Sequence, residues 1–167
     1  MVFVLVIALG IFLDQAAKWL IVRSLPVGGG FEVIPGILDI HHVRNTGAAW
    51  SMFSENTMGL AIFSLVMLVG LSIWFCRVPR ENLLLRLAIS VVISGAVGNM
   101  IDRFRLGYVV DFLELPHWPV FNVADMLLCG GVAALAVLLL LDERAAGRNR
   151  PDNQDKQDKQ GEQGVNI

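Results

Sequence analysis

Charge is scarce in this chain. Asp, Glu, Lys and Arg make up 17% of its 167 residues, against about a quarter in an ordinary soluble domain. Apolar residues make up 55%, and the mean hydropathy is +0.62, so much of the surface must face something other than water. A net charge of −2 gives no basic field for a nucleic-acid partner. Cysteine is nearly absent, and Cys76 and Cys129 fall at different depths of their apolar blocks, too far apart for a disulfide. Metal-ligand spacing is lacking. The adjacent His41 and His42 would point to opposite faces of a strand, so neither a metal nor another cofactor is expected. No HExxH or GxSxG string occurs, and the only lysine in an apolar block is Lys18.

What is abundant is long apolar sequence. Four blocks stand out, Val2–Val22, Met58–Cys76, Leu83–Ile101 and Val120–Leu141. Each approaches the roughly 20 residues that a helix needs to cross a hydrocarbon core of about 30 Å. The second and fourth have no polar stripe of the kind that marks a helix half in water. The first lacks a basic lead-in and contains Asp14 and Lys18, which favours a retained helix over a cleaved leader. The length argues for one domain, a four-helix membrane unit over residues 1–141. A polar tail over 142–167, rich in Gln, Asp and Lys, cannot bury enough surface to fold.

Basic residues give a topology. Arg77, Arg80 and Arg86 surround the link between the second and third blocks, and Arg144, Arg148, Arg150, Lys156 and Lys159 follow the fourth. Both termini are therefore expected in the cytoplasm, with residues 24–57 and 102–120 on the outer side. Trp19, Trp50, Trp74 and Trp118 all fall at expected interfaces, where an amphipathic ring is favoured. In the first outer segment, Phe31–Ile34 and Ile37–Val43 read as short strands between glycine and proline turns. Residues 48–53 read as a short interfacial helix. The expected fold is an all-α membrane protein of four spanning helices with a small outer-side β element.

Polar side chains at membrane depth are costly and point to function. Asp14 and Lys18 share a helix face and can pair. Asn99, Asp102 and Arg103 end the third helix, Asp111 follows in the outer connection, and Asn122 and Asp125 open the fourth. Asp111 and Asp125 are fourteen positions apart across a turn bracketed by Pro116 and Pro119, which allows both carboxylates to reach one depth. Two carboxylates that close share one proton. One then activates a water while its protonated partner polarises a carbonyl, as aspartic proteolysis requires. Simpler roles exist for each group alone: a first-turn carboxylate on a helix dipole for Asp125, a neutralised pair for Asp14 and Lys18, and interfacial anchors for Asp102 and Arg103. Asn99 and Asn122 could be caps, and Gly95 and Gly98 close-approach sites. None of these explains why so many gather at one side of one membrane. A proton-relaying transporter or a non-enzymatic scaffold is the competing reading, although no internal repeat of the transporter kind is visible.

The same residues sit in strings that resemble the lipoprotein signal peptidase (signal peptidase II) family. They are Asp14-Gln15-Ala16-Ala17-Lys18, Asn45-Thr46-Gly47-Ala48-Ala49-Trp50-Ser51, Gly95-Ala96-Val97-Gly98-Asn99-Met100-Ile101-Asp102-Arg103, Gly107-Tyr108-Val109-Val110-Asp111-Phe112 and Phe121-Asn122-Val123-Ala124-Asp125. All five stand in the family's order, from Asp14 to Asp125. The resemblance implies a bacterial inner-membrane aspartic endopeptidase that works without a cofactor, functions as a monomer and has its site towards the outer face. Its substrates would be diacylglyceryl-modified prolipoproteins, met with membrane lipid around them and cut just before the modified cysteine. It places the catalytic pair on Asp111 and Asp125. Asn45, Asn99, Arg103 and Asn122 would line the site, with Asp14, Lys18 and Asp102 supporting it. Ala17, Trp50 and Met126 depart from the family's usual residues, and Met126, next to the dyad, is expected to alter the hydrogen bonding around it.

Overall fold

A computed structural model describes residues 1–47 and 57–149. Four helices carry the fold: α1 (Val2–Ser24), α2 (Thr57–Arg77), α3 (Leu83–Leu106) and α4 (Val123–Asn149). All four are long and apolar enough to cross a membrane. Helix is the form such sequence must take there, because lipid offers nothing to satisfy a backbone N–H or C=O. The expected blocks and the helices agree to within a few residues at most ends. α4 differs at both: it begins after Asn122 and runs past the boundary expected at Leu141, so the start of the expected tail is helical through Asn149. The rest of that tail, and the interfacial helix expected over 48–53, lie outside the described residues.

Lipid-facing and core-facing sides separate cleanly. Leu5, Leu9 and Phe12 on α1, and Ile62, Phe63 and Val66 on α2, are exposed, as they would be against hydrocarbon. α3 is the central helix and packs on α1, α2 and α4. Its buried residues include Ile89, Val92, Ile93 and Gly95. At Gly95 the α3 and α4 backbones approach so closely that a Cβ would lie 2.4 Å from the carbonyl oxygen of Ala124. Small residues at such crossings are what allow membrane helices to pack tightly. Gly95→Ala is therefore expected to push α4 away and cost about 1–3 kcal/mol. A thermal midpoint in detergent within a degree of the wild type would refute that.

A three-stranded antiparallel sheet lies at the α3 C-terminal end, in the order β1 (Gly30–Ile34), β2 (Leu38–Asn45) and β3 (Val109–Glu114). The first two fall close to the expected runs. The third corrects the sequence reading, which treated this stretch as plain connection. Gly107 stops α3 in the left-handed conformation (φ 78°), its N–H bonded to the Arg103 carbonyl. That conformation suits glycine, and it turns the chain straight into β3. Val43 then pairs with Asp111, and Asn45 with Val109. A register shift between Ile40 and Val43 accommodates the two histidines. His41 is half-exposed and bonds Glu114, while His42 is buried with Nδ1 on the Leu25 carbonyl. Cys76 and Cys129 are free and exposed.

Candidate active site

Asn122 closes the chain end that leads into α4, and it does so reciprocally with Asp125. Its Oδ1 accepts from the Asp125 N–H (3.0 Å), and Asp125 Oδ2 accepts from the Asn122 N–H (3.2 Å). This is the geometry of a capping box, with an aspartate in the third helical position. The helix dipole favours a negative charge there. The capping and dipole roles weighed from sequence thus have their geometry here, and they fix the position of the Asp125 carboxylate.

Asp111 comes from β3 and is 2% exposed. One of its oxygens accepts from Asn122 Nδ2 at 2.6 Å, the other from Asn45 Nδ2 at 2.8 Å. The second N–H of the Asn122 amide goes to Asn99 Oδ1 (3.0 Å), and Asn99 Nδ2 donates to Asp125 Oδ1 (2.7 Å). The two carboxylates are thus held by one continuous chain of amides from β2, α3 and the α4 entry. Both line a cavity of about 190 Å³, together with Asn45, Asn99, Arg103 and Cys129. Burial pushes the Asp111 carboxyl up, to about 6, against the bonds from Asn45 and Asn122 and with the help of the Asp125 charge. A carboxyl with that value changes protonation state near neutral pH, as acid–base chemistry requires.

Arg103 reaches the same cavity from α3. Its guanidinium contacts the Gly47 carbonyl at 3.4 Å, and its buried Nε has no partner among the described residues. Arg103 thus brings a guanidinium to the cavity lining.

Asp14, Lys18 and Asp102 form a second layer behind the amide chain. Lys18 Nζ has three protons and three acceptors: Asp14 Oδ2 (2.9 Å), Asp102 Oδ2 (2.9 Å) and Asn99 Oδ1 (3.0 Å). The remaining Asp14 oxygen accepts from the Ala124 N–H (2.8 Å), and Asp102 also accepts from the Val110 N–H (3.1 Å). The first of these ties the layer to the α4 turn that carries Asp125, and the second to the strand that carries Asp111. The structure brings Asp111, Asp125, Asn45, Asn99, Arg103 and Asn122 together around one cavity or its hydrogen bonds, with Asp14, Lys18 and Asp102 behind them. Gln15 was missed: its amide binds Asp14, Asp102 and the Gly98 carbonyl. The available signal was an amide at membrane depth one position from an aspartate. Gly98 leaves room for Asp14, whose Oδ2 would lie 2.6 Å from an added Cβ. Met126 corrects an expectation. It is 54% exposed and does not line the cavity, because one step along a helix turns it about 100° away from Asp125.

The chain has relatives among known proteins, in sequence and in fold. A family model described as Signal peptidase (SPase) II matches residues 6–141. The lipoprotein signal peptidase of Geobacter metallireducens is 39% identical over 155 residues, covering 89% of this chain and 96% of its own. That of Enterococcus faecalis is 40% identical over 152 residues, covering 89% and 94%. A solved structure described as a bacterial membrane enzyme superposes with a TM-score of 0.81 at 36% identity, covering 85% of this chain and 89% of that one.

Proposed function

The chain belongs to the signal peptidase II family, and from that premise we propose that it is a membrane-embedded aspartic endopeptidase that removes signal peptides from bacterial prolipoproteins. The substrates in this reading carry a diacylglyceryl-modified cysteine, and the cut falls just before it. The observation that carries it is the pair Asp111 and Asp125 on one cavity, each carboxylate oxygen held by a single N–H donor. In this reading the two carboxylates share one proton, and the singly protonated form does the work. The ionised member takes a proton from a water, the water oxygen attacks the scissile carbonyl, and the protonated member stabilises the developing oxyanion. The proton taken from water then passes to the leaving nitrogen as the C–N bond breaks. Asn45, Asn99 and Asn122 position the two carboxylates, and the Arg103 guanidinium, which lines the cavity, holds a substrate carbonyl. Asp14, Lys18 and Asp102 support that arrangement from behind. The proton-relay reading loses its footing with the family.

The protein is a multi-pass bacterial membrane protein. We place both termini in the cytoplasm and the dyad towards the outer face. α1 and α3 run in the same direction, since Gly10 meets Ser94, Asp14 meets Gly98 and Lys18 meets Asp102, and the dyad is at their C-terminal ends. The basic link around Arg77, Arg80 and Arg86 is at the other end of α3. One copy already holds all four oxygens of the dyad, and we read the protein as acting as a monomer. A lipidated cysteine, held by its acyl chains at the surface, meets a dyad at that depth without leaving the bilayer.

The test uses the purified protein in detergent and one prolipoprotein in two forms, with the cysteine diacylglyceryl-modified or free. Cleavage just before the cysteine in the modified form alone is expected. Equal cleavage of both would remove lipid from the recognition, and cleavage of neither, with the fold verified, would overturn the proposed reaction.

A further inference from the structure

A second cavity, of about 470 Å³, lies between α1 and the end of α3, with the supporting polar layer as its floor. Phe12, Trp19 and Val22 on α1 and Leu106 on α3 form its apolar walls. Arg23 and Arg105 also line it. Both are exposed, and neither is paired with a carboxylate among the described residues. Arg23 lies over the Trp19 ring at 4.3 Å, which fixes its cation on the wall. Lys18 and Asp102 appear only on the floor, and the three protons of Lys18 are already committed. The free positive charge therefore belongs to the two arginines.

The dimensions match one leaflet. Phe12 to Arg23 spans about 16 Å of helix, close to the roughly 15 Å of half a hydrocarbon core. The apolar wall runs at chain depth, and the arginines sit where headgroup phosphates lie. We propose that this groove binds one anionic phospholipid of the leaflet on the dyad side. One acyl chain would lie along Phe12 and Trp19, and the phosphate would be held by Arg23 and Arg105, whose planar donor sets suit phosphate oxygens. The lipid would lie over the floor formed by Gln15, Lys18 and Asp102. The site is separate from the cavity of Asp111 and Asp125 and does not depend on which reaction occurs there.

Native mass spectrometry of the full chain from detergent tests this, with dioleoyl phosphatidylglycerol or dioleoyl phosphatidylcholine added at equal concentration. The wild type is expected to retain one phosphatidylglycerol in clear preference to phosphatidylcholine. Arg23→Gln with Arg105→Gln should lower that retention by about tenfold or more. Ala16→Phe, which fills the groove without touching charge, should lower it as well. The thermal midpoint of each variant in detergent serves as the check that it is folded. Equal retention of both lipids by the wild type, or unchanged phosphatidylglycerol retention in the double variant, would overturn the proposal. So would displacement of the lipid by millimolar inorganic phosphate, which would make this an anion site only. A raised KM for the prolipoprotein with lipid retention unchanged would assign the groove to the signal peptide instead.

Discussion

Asp111→Asn is expected to abolish prolipoprotein cleavage and, above about pH 6, to make the folded protein more stable. The loss of activity follows from the proposed chemistry: an amide can neither take a proton from water nor give one to the oxyanion. A fall of about 10²- to 10⁴-fold or more is the usual scale for losing a positioned acid–base group. Asp125→Asn should fall as far, because the pair works as a unit. The gain in stability follows from burial. The Asp111 carboxyl is raised from 3.8 to about 6 in the folded state, so folding favours its protonated form. Its contribution is fully present below about pH 4 and is lost as pH rises through 6. At about 1.4 kcal/mol per pH unit, up to about 3 kcal/mol is at stake. An asparagine never ionises and escapes that loss, but its NH₂ must face Asn45 or Asn122, both of which donate to Asp111 now. A net gain of about 1–2 kcal/mol at pH 7.5 is expected, shrinking towards pH 4. Thermal unfolding of both proteins across that range decides it. A difference that does not vary with pH would mean that Asp111 is not held above its ordinary value. The same argument gives the wild type a kcat/KM that declines as pH rises past about 6, when the shared proton leaves the free enzyme.

The helices were legible because hydrocarbon imposes one solution on any long apolar run, and the four blocks show it directly. The catalytic candidates were legible for the complementary reason, since a carboxylate or amide at that depth must be held by something. β3 was not legible. Val109–Glu114 is six residues long, and its first four are buried on both faces, so no alternation marks it as a strand. Its pairing comes from Asn45 and Val43, far off in sequence, and from Phe121, whose carbonyl accepts from the Phe112 and Leu113 N–H groups. Without that strand the sequence could place Asp111 only at the right depth. With it, the side chain has a direction, set by its neighbours on β2. Gln15 was overlooked for a similar reason. A neutral amide in a run that also holds Asp14 and Lys18 draws no attention until three acceptors are seen to converge on it. Met126 misled in the other direction, since adjacency in sequence to Asp125 is not adjacency in space on a helix.

Lys18→Met is expected to be the most destabilising single change in the protein, at about 3–5 kcal/mol. Asp14 and Lys18 are 0% and 3% exposed, and Asp102 is 3% exposed, so one cation serves two carboxylates with almost no water to share the task. Methionine fills the same volume, so the cost measures the lost charge and not a cavity. It leaves two buried carboxylates facing each other across the Gln15 amide. The backbone N–H groups of Ala124 and Val110 relieve part of that, which is why the layer carries two acids for one base. The effect should also reach the dyad. Lys18 and Asn122 both donate to Asn99 Oδ1, and the two contacts together fix which end of the Asn99 amide faces Asp125. Without Lys18 only Asn122 holds that oxygen, the amide is less firmly set, and cleavage should fall further than the loss of folded protein explains. Adding Asp14→Asn and Asp102→Asn to Lys18→Met removes the stranded charges and should recover much of the stability but less of the activity, because Asn99 still lacks one of its two donors. Unfolding in detergent and cleavage at a temperature where each variant is folded separate the two effects. A thermal midpoint for Lys18→Met close to the wild type would mean that the carboxylates are neutralised some other way. Activity restored in the triple variant would mean that Lys18 acts through charge alone and not through the Asn99 amide.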